Sequence, residues 1–354
     1  MQNDIYRTLQ RRLDQYSVGF PATPSGVELK ILQHLFSQEH AEVFLFLSLQ
    51  PEASDDIARR TGRDPRTLAT HLKEMAEKGL VNRVKSTNHV LYGAAPFVPG
   101  IYEFQVGAMT PELAELYEQL SEEAYHKTIA EIAFTFGRIV PVNEAIETLC
   151  RITPYEDARE ILHRADRIVV TECICRKQQD LIGKGCDKPR DTCMLFGDFG
   201  QNYLDRGLAR SVYVEEALHL LDECRAAGLV TQANTSQNPG GMCNCCGDCC
   251  MMLRALNRMP KPAEMVFSNY FCRVNPQLCS GCGACPDICP MSAILLKTNE
   301  WAEIDLDRCI GCGVCTGSCP TRAMSLQLKP EGQRRIPPAG NEEQMALMAK
   351  RRGI

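Results

Sequence analysis

The spacing of apolar residues predicts two short helices near the N-terminus. Residues 55–62 form a short helical pattern that ends at a glycine. Asp64 is placed to cap the following helix, with Pro65 at its first position. That second helix is expected to end at Gly79 and to bury one apolar face, which comprises Leu68, Leu72, Met75 and Ala76.

Alternating apolar residues then predict two strands, at 80–84 and 89–93, joined by residues 85–88. The order of helix, turn, helix and hairpin resembles a winged helix, which implies either DNA recognition or a scaffold role. Residues 1–107 contain 12 Lys and Arg against 12 Asp and Glu. A neutral domain is poorly suited to phosphate binding, so DNA is possible as a partner but not favoured.

Two longer stretches have the period of amphipathic helices. Residues 111–136 predict one long connecting or dimerising helix, and residues 214–229 repeat the pattern. Cys224 continues the apolar stripe of the second stretch, so we interpret it as a core thiol. Cys150 stands alone and is interpreted in the same way.

Cysteine usage changes this picture, because 20 of the 354 residues are cysteines and none precedes Cys150. The N-terminal residues lack a signal-peptide core, and the longest apolar run, 43–49, is too short to span a bilayer. A cytoplasmic location is therefore expected, where thiols stay reduced and dense cysteines serve first as metal ligands. The net charge of −5 predicts no general attraction to polyanions.

Residues 279–290 and 309–320 are two copies of the pattern C-x2-C-x2-C-x3-C-P. In this pattern three cysteines hold one 4Fe-4S cluster and the fourth holds the other cluster. Glycines between the cysteines allow the backbone to curve around a cluster. The predicted ligand sets are Cys279, Cys282, Cys285 and Cys319 for the first cluster, and Cys309, Cys312, Cys315 and Cys289 for the second.

This span resembles the two-cluster bacterial ferredoxin domain, which implies two 4Fe-4S clusters, a βαββαβ-type fold and one-electron transfer. Residues 293–296 and 301–304 predict a hairpin, and residues 323–326 echo its first strand. Zinc knuckles were the alternative for these cysteines, but zinc rarely uses interleaved repeats of this form.

Nine further cysteines lie between the first amphipathic stretch and the repeats. Such density indicates metal binding, with one or two additional iron–sulfur clusters favoured, structural zinc as the alternative, and a redox-active disulfide as a third possibility. Arg176, beside the first pair, is placed to stabilise a negative cluster or to cap a strand end. The candidate ligands are Cys173, Cys175, Cys186, Cys193, Cys243, Cys245, Cys246, Cys249 and Cys250.

The whole chain resembles larger anaerobic iron–sulfur proteins, on the motifs Cys173-Ile-Cys175-Arg176 and Cys243-Asn-Cys245-Cys246, with residues 268–270. The expected class is α+β multidomain, with a winged-helix-like domain (1–107), a connecting helix (108–139), a cysteine-rich α/β middle domain (140–265), a ferredoxin-like dicluster domain (270–330) and a charged tail (331–354). Cys272 falls outside the motifs and has no assignment.

These features predict an electron-transfer protein that passes single electrons between 4Fe-4S clusters and a partner redox protein or enzyme complex. No P-loop and no Rossmann glycine fingerprint is found in the sequence. One alternative is a redox-sensing winged-helix regulator. A further alternative is a reductase with an open-site cluster in the middle domain.

Overall fold

A computed structural model describes residues 2–85, 89–141, 154–296 and 301–354. Cys150 and the residues between the two predicted N-terminal strands, 86–88, lie outside the described residues. The helices are α1 Gln2–Asp14, α2 Val27–Leu35, α3 Gln38–Leu45, α4 Ser54–Thr61, α5 Pro65–Glu77, α6 Tyr102–Phe104, α7 Pro111–Leu120, α8 His126–Phe136, α9 Ala158–Arg164, α10 Ile174–Leu181, α11 Gly197–Asp205, α12 Val214–Ala226, α13 Met251–Asn257, α14 Pro262–Met265, α15 Ala284–Ile288, α16 Val314–Gly317 and α17 Asn341–Arg352.

Within the described residues, the strands make four sheets. Their orders are β1-β3-β2, β4-β8-β9-β6-β5-β7, β10-β13 and β11-β12. The bounds are β1 Glu52–Ala53, β2 Val81–Lys85, β3 Val90–Ala94, β4 Gly137–Ile139, β5 Ile168–Glu172, β6 Asp191–Phe196, β7 Ala209–Val212, β8 Val230–Asn234, β9 Gly241–Cys245, β10 Tyr270–Val274, β11 Ile294–Leu296, β12 Ala302–Ile304 and β13 Met324–Leu328.

The two predicted N-terminal helices are confirmed as α4 and α5. Gly62 ends α4 in the left-handed conformation, and the Asp64 side chain accepts the backbone N–H of Thr67 at 2.9 Å. The predicted apolar face of α5 is buried, because Leu68, Leu72, Met75 and Ala76 all face the N-terminal core. Strands β2 and β3 follow as an antiparallel pair.

The N-terminal hairpin contacts the middle region directly. Arg83 donates to the carbonyl oxygen of Asp205 at 2.8 Å, and Lys85 forms an ion pair with the Asp205 carboxylate at 2.9 Å. Arg206, next in the chain, donates to the backbone oxygens of Ala76 and Val81. Two basic residues of the hairpin are therefore used in contacts within the molecule.

The predicted long helix is present, with an irregularity. Helices α7 and α8 are joined by a π-helical turn, Ser121–Tyr125, which keeps the chain helical throughout. The apolar stripe packs into the main core beside α2, α13 and α17. The charged tail contains α17, where Gln344 donates to the backbone oxygens of Thr135 and Phe136.

The middle region is built on the six-stranded sheet. Its strand pairs are antiparallel throughout the described residues, so the α/β arrangement expected there is wrong in the strict sense and the region is α+β. Helices α9 and α12 pack on this sheet through a separate apolar cluster. Mixed helix and sheet, as expected, describe the chain as a whole.

The C-terminal region runs in the order strand, helix, strand, strand, helix, strand, from β10 to β13. Strand β10 pairs with β13, and β11 pairs with β12 as the predicted hairpin. Each short helix begins directly after a left-handed glycine, Gly283 or Gly313. Cysteines of both repeats pack in or against one small shared core.

Candidate metal centres

Two strands of the middle sheet and the starts of two helices beside it carry six cysteines. Cys173 lies between β5 and α10, and Cys175 is in the first turn of α10. Cys193 in β6 pairs with Cys243 in β9 as direct cross-strand neighbours. Cys245 ends β9, and Cys250 caps α13. Residues separated by up to 77 positions are thus brought together by strand pairing.

These six thiols line a cavity of about 190 Å³. Neighbouring thiols affect each other's protonation in the order Cys175, Cys173, Cys193, Cys243, Cys245 and Cys250, and the charge of Cys250 in turn affects Cys175. We call this set the six-thiol ring. Its members surround the cavity instead of converging on one point.

The ring thiols influence each other's protonation. Hydrogen bonds from Cys175 and Cys193 lower the pKa of Cys173, and bonds from Cys193 and Cys245 lower the pKa of Cys243 to about 5. The pKa values of Cys175, Cys193 and Cys245 are raised, because each donates to a neighbouring sulfur and is buried. The ring therefore favours a mixture of thiolates and thiols, and thiolates are the form that binds metal.

Arg176 is a buried cation beside the ring, with 1% of its surface exposed. It donates to the backbone oxygens of Pro189 and Asn244, each at 2.8 Å, and to the hydroxyl of Thr192 at 2.7 Å. Burial opposes its charge, but the sulfurs of Cys173, Cys246 and Cys245 raise the pKa of Arg176 above its ordinary value. Of the two roles predicted for Arg176, proximity to sulfur fits the stabilisation of negative charge.

Asn244, the polar residue of the CNCC motif, orders the strand that carries the ring. Its side-chain N–H donates to the Thr192 carbonyl at 3.0 Å, and its oxygen accepts from the Thr231 hydroxyl at 2.8 Å. The amide is fully buried. These bonds fix β9 between its two neighbours, so the adjacent Cys243 and Cys245 are held in register.

The remaining three middle cysteines form a compact group, one member of which, Cys246, also lines the cavity of the ring. The Cys186 sulfur lies 3.7 Å from that of Cys246 and 3.6 Å from that of Cys249, and all three sulfurs lie within 4.8 Å of one another. Cys186 is in the loop after α10, while Cys246 and Cys249 belong to the turn after β9. Cys224 is buried in the same apolar cluster, and burial raises its pKa to about 12.

The C-terminal repeats form two more thiol-lined spaces. One is lined by Cys279, Cys282, Cys285 and Cys319, and the other by Cys289, Cys309, Cys312 and Cys315. Each space thus collects three cysteines from one repeat and the fourth from the other repeat. Four thiolates are what a 4Fe-4S cubane requires, so the residues present fit that group in both spaces.

Backbone N–H groups point at four of these sulfurs. Ala293 donates to Cys289 at 3.3 Å, and Ala323 donates to Cys319 at 3.2 Å. The Cys279 sulfur accepts from Ala302 at 3.5 Å, and the Cys309 sulfur accepts from Cys272 at 3.4 Å. Donors of this kind stabilise negative sulfur and tune the potential of a bound cluster.

Cys272, which has no assignment from sequence, lies in the wall of the second space. Its sulfur is 3.4 Å from that of Cys315 and 3.8 Å from that of Met324. Sequence reasoning did not detect this proximity, because it arises from the pairing of β10 with β13. Tyr102 and Glu103, which line the six-thiol cavity, were missed for the same reason: no motif connects them to the cysteines.

A family model described as a 4Fe-4S dicluster domain matches residues 278–323. No curated protein and no solved structure matches the chain. The C-terminal region therefore binds 4Fe-4S iron–sulfur centres, and electron transfer is the general function that this domain indicates. Within the described parts of the chain, every helix is too short or too polar to cross a membrane.

Proposed function

We propose that the chain is a multicentre electron-transfer protein with two 4Fe-4S clusters in its C-terminal region. The observation that carries this proposal is the division of eight thiols into two spaces, each with one cysteine from the other repeat. Thiolate-saturated clusters of this kind supply one-electron transfer when bound. The ligand sets are Cys279, Cys282, Cys285 and Cys319, and Cys309, Cys312, Cys315 and Cys289.

The six-thiol ring is proposed to hold a further polynuclear iron–sulfur centre. Among the described residues, no three ring sulfurs all lie within 4.8 Å of one another, as those of Cys186, Cys246 and Cys249 do, and this wider spacing suits a group larger than a single ion. The eight C-terminal sulfurs behave in the same way within that part of the chain. The sulfurs of the ring and those of the two C-terminal spaces are therefore similar in being widely spaced.

The middle and C-terminal regions are in direct contact. A Cβ at Gly247 would lie 3.2 Å from the Pro290 carbonyl oxygen, and Pro290 directly follows the predicted ligand Cys289. Arg308 donates to the backbone oxygens of Met291 and Met259, which connects the second repeat to the segment after α13. Close contact of this kind supports electron exchange between the two regions.

The proposed partner is a redox protein that docks near the first dicluster site. Leu295 is 58% exposed and Trp301 is 46% exposed, on the hairpin β11–β12 and its edge. Leu296, 41% exposed, also lines the space that holds Cys279. Exposed apolar residues beside a redox centre are typical of a docking surface for an electron-transfer partner.

Metal analysis under anaerobic conditions tests the proposal. The intact chain should contain more than the roughly eight irons of two cubanes, and its clusters should be reduced reversibly by single electrons. The double variant Cys175→Ala and Cys245→Ala should lose only the iron above that number. Cys224→Ala, a buried thiol outside the ring, is the matched control and should keep all of it.

Different results would separate the two parts of the proposal. Wild-type protein with only about eight irons would remove the ring centre and leave the dicluster assignment intact. Fewer than about four irons, or absence of reversible reduction, would contradict electron transfer itself.

A second candidate function, reduction of a small molecule at the ring, is favoured by the rest of the cavity wall. The Tyr102 hydroxyl lies 4.0 Å from the Cys175 sulfur and donates to Gln178 at 2.6 Å. Glu103 also lines the cavity, and burial raises its pKa to about 7. A proton donor beside an electron source is the arrangement that proton-coupled reduction requires.

The test of this second function is the pH dependence of the ring potential. With Glu103 as proton donor, the potential should fall as pH rises near 7, and Glu103→Gln should remove that dependence with the iron content unchanged. The same pH dependence in Glu103→Gln would exclude this function.

The winged-helix-like region is proposed as a scaffold. Arg83 and Lys85 contact Asp205 of the middle region, which removes two cations from a DNA-facing role. The alternative function, a redox-sensing regulator that binds DNA, can be tested directly. Sequence-specific gel-shift complexes at low salt that change with cluster oxidation state would overturn the scaffold interpretation.

A further inference from the structure

Cys186, Cys246 and Cys249 differ in geometry from every iron–sulfur ligand set proposed above. The Cys186 sulfur lies 3.7 Å from that of Cys246 and 3.6 Å from that of Cys249, and all three sulfurs lie within 4.8 Å of one another. Ligands of one tetrahedral zinc ion lie about 3.8 Å apart, because each is about 2.3 Å from the metal. Thiolates of a cubane bind separate corners and stand farther apart.

We propose that these three cysteines bind a single zinc ion, distinct from the iron–sulfur centres. Thiolates are soft ligands, and a compact set of them selects zinc in a reduced compartment. The fourth position is available to a non-thiol ligand, since Cys186 keeps part of its surface accessible. This inference goes beyond the proposed function and does not depend on it.

Buried positive charge beside the group supplies a second reason. Arg176 interacts with the sulfurs of Cys173 and Cys246, and its guanidinium donates to two backbone oxygens and one hydroxyl, which are uncharged. A buried cation requires a negative partner. A zinc ion with three thiolates carries a net negative charge, so the metal site and Arg176 compensate each other.

The position of the group in the fold indicates what the ion does. Cys186 belongs to the loop between α10 and β6, whereas Cys246 and Cys249 flank the turn that contains Gly247. That turn touches Pro290 of the first ferredoxin repeat. The ion therefore cross-links two loops at the place where the middle region meets the dicluster region.

Cys224 is the natural control for this site. Its side chain is buried in the same apolar cluster as Cys246 and Cys249, yet its sulfur is outside the compact set within the described chain. A structural thiol and a metal ligand can thus be compared at neighbouring positions of one cluster.

Zinc-edge X-ray absorption and metal analysis of the full, anaerobically purified chain test the proposal. We expect about one zinc per chain, with three sulfurs at about 2.3 Å and one lighter atom. Cys186→Ala should lose the zinc and keep its iron. Cys224→Ala should keep both metals, and Cys175→Ala should lose iron from the ring but keep the zinc.

Two results on the wild-type protein would overturn the assignment: absence of zinc, or four sulfurs around the zinc. Two results on the variants would also do so: loss of iron together with zinc in Cys186→Ala, or loss of zinc in Cys224→Ala. Because the absorption measurement uses wild-type protein, it stands even where a variant fails to fold. Unchanged iron in Cys175→Ala, with zinc as expected, would count against the ring centre alone, so the two proposals fail separately.

Discussion

The C-terminal repeats and the middle region bring their cysteines together in two ways. In the repeats, three cysteines of each set lie within seven positions of one another, and only the fourth is distant. In the middle, Cys193 and Cys243 become neighbours only because β6 pairs with β9. One arrangement is encoded in local spacing, and the other depends on the register of a sheet.

This difference predicts different sensitivities. A loop that wraps a cluster through its own glycines should depend on backbone conformation at a few positions. The six-thiol ring, whose cysteines come from several strands and helices, should depend on the buried polar contacts that hold those elements in place. Substitutions that leave every cysteine intact can therefore separate the two regions.

The largest effect is expected from Arg176→Ala. The change leaves the backbone oxygens of Pro189 and Asn244 without their donor and removes the cation beside the middle sulfurs. Loss of a buried charged partner destabilises proteins by about 3–5 kcal/mol. Urea unfolding should show that loss, and metal analysis should show depletion of middle-region metal while dicluster iron remains.

Arg210→Ala provides the control for this prediction, since Arg210 in β7 of the same sheet forms an exposed ion pair with Glu216 of α12. Its removal should change stability by about 1 kcal/mol at most. Equal losses in the two variants would mean that Arg176 has no special part in holding the middle sulfurs.

Gly311→Ala should act on the other side of the comparison. Gly311 has φ +67°, and a Cβ there would overlap the carbonyl oxygen of Tyr270 in β10. We expect about 1–2 kcal/mol from the left-handed conformation and about 1–3 kcal/mol from the overlap. Iron from the second dicluster site should be lost, with the middle metals unchanged.

Gly283→Ala tests whether the overlap is the cause. Gly283 has φ +79°, but a Cβ there would make only an ordinary contact with Leu296 at 3.7 Å. This variant should lose only the stability that the left-handed conformation costs, about 1–2 kcal/mol. A loss as large as that of Gly311→Ala would contradict the role assigned to the Tyr270 carbonyl.

The same contrast explains what could be predicted from sequence. The helices α4 and α5, the hairpin β11–β12 and the grouping of repeat cysteines follow from local spacing and capping residues. The division of the nine middle cysteines into a ring of six and a compact group of three does not, because strand pairing produces it. Cys272 and Tyr102 lie beside the thiol sites because of tertiary packing, which the sequence around each residue does not indicate.

Glu118→Gln should have a smaller effect, spread across the middle region. Glu118 accepts two hydrogen bonds from Arg254, at 2.9 and 2.7 Å, and one from Gln179 at 2.8 Å. It thereby joins α7 to α10 and α13, the helices that begin at ring cysteines. Loss of such charged hydrogen bonds should reduce the free energy of unfolding by about 1.5–3 kcal/mol at pH 7.

The pH dependence of that difference has a defined sign. Burial raises the pKa of Glu118, but hydrogen bonds from Arg254, Gln179 and Lys184 outweigh burial and lower the pKa to about 2. The pKa of Glu118 in the folded state lies below the unfolded value of about 4.3. The stability that ionised Glu118 contributes is therefore present above about pH 4.3 and is lost as the pH falls towards 2. The gap between wild type and Glu118→Gln should narrow over that range in urea unfolding, and a constant gap would contradict this account.

The smallest change in stability is expected at the junction of the two regions, from Gly247→Ala. The added Cβ would meet Pro290 atoms at 3.2 Å, so the turn and the repeat must separate by a few tenths of an ångström. Stability should change by about 1 kcal/mol or less. Electron exchange between middle and dicluster iron should slow in stopped-flow reduction, because Gly247 directly follows Cys246 and Pro290 directly follows Cys289. Gly332→Ala, with open space around its Cβ, is the control; equal rates in both variants would place the electron path elsewhere.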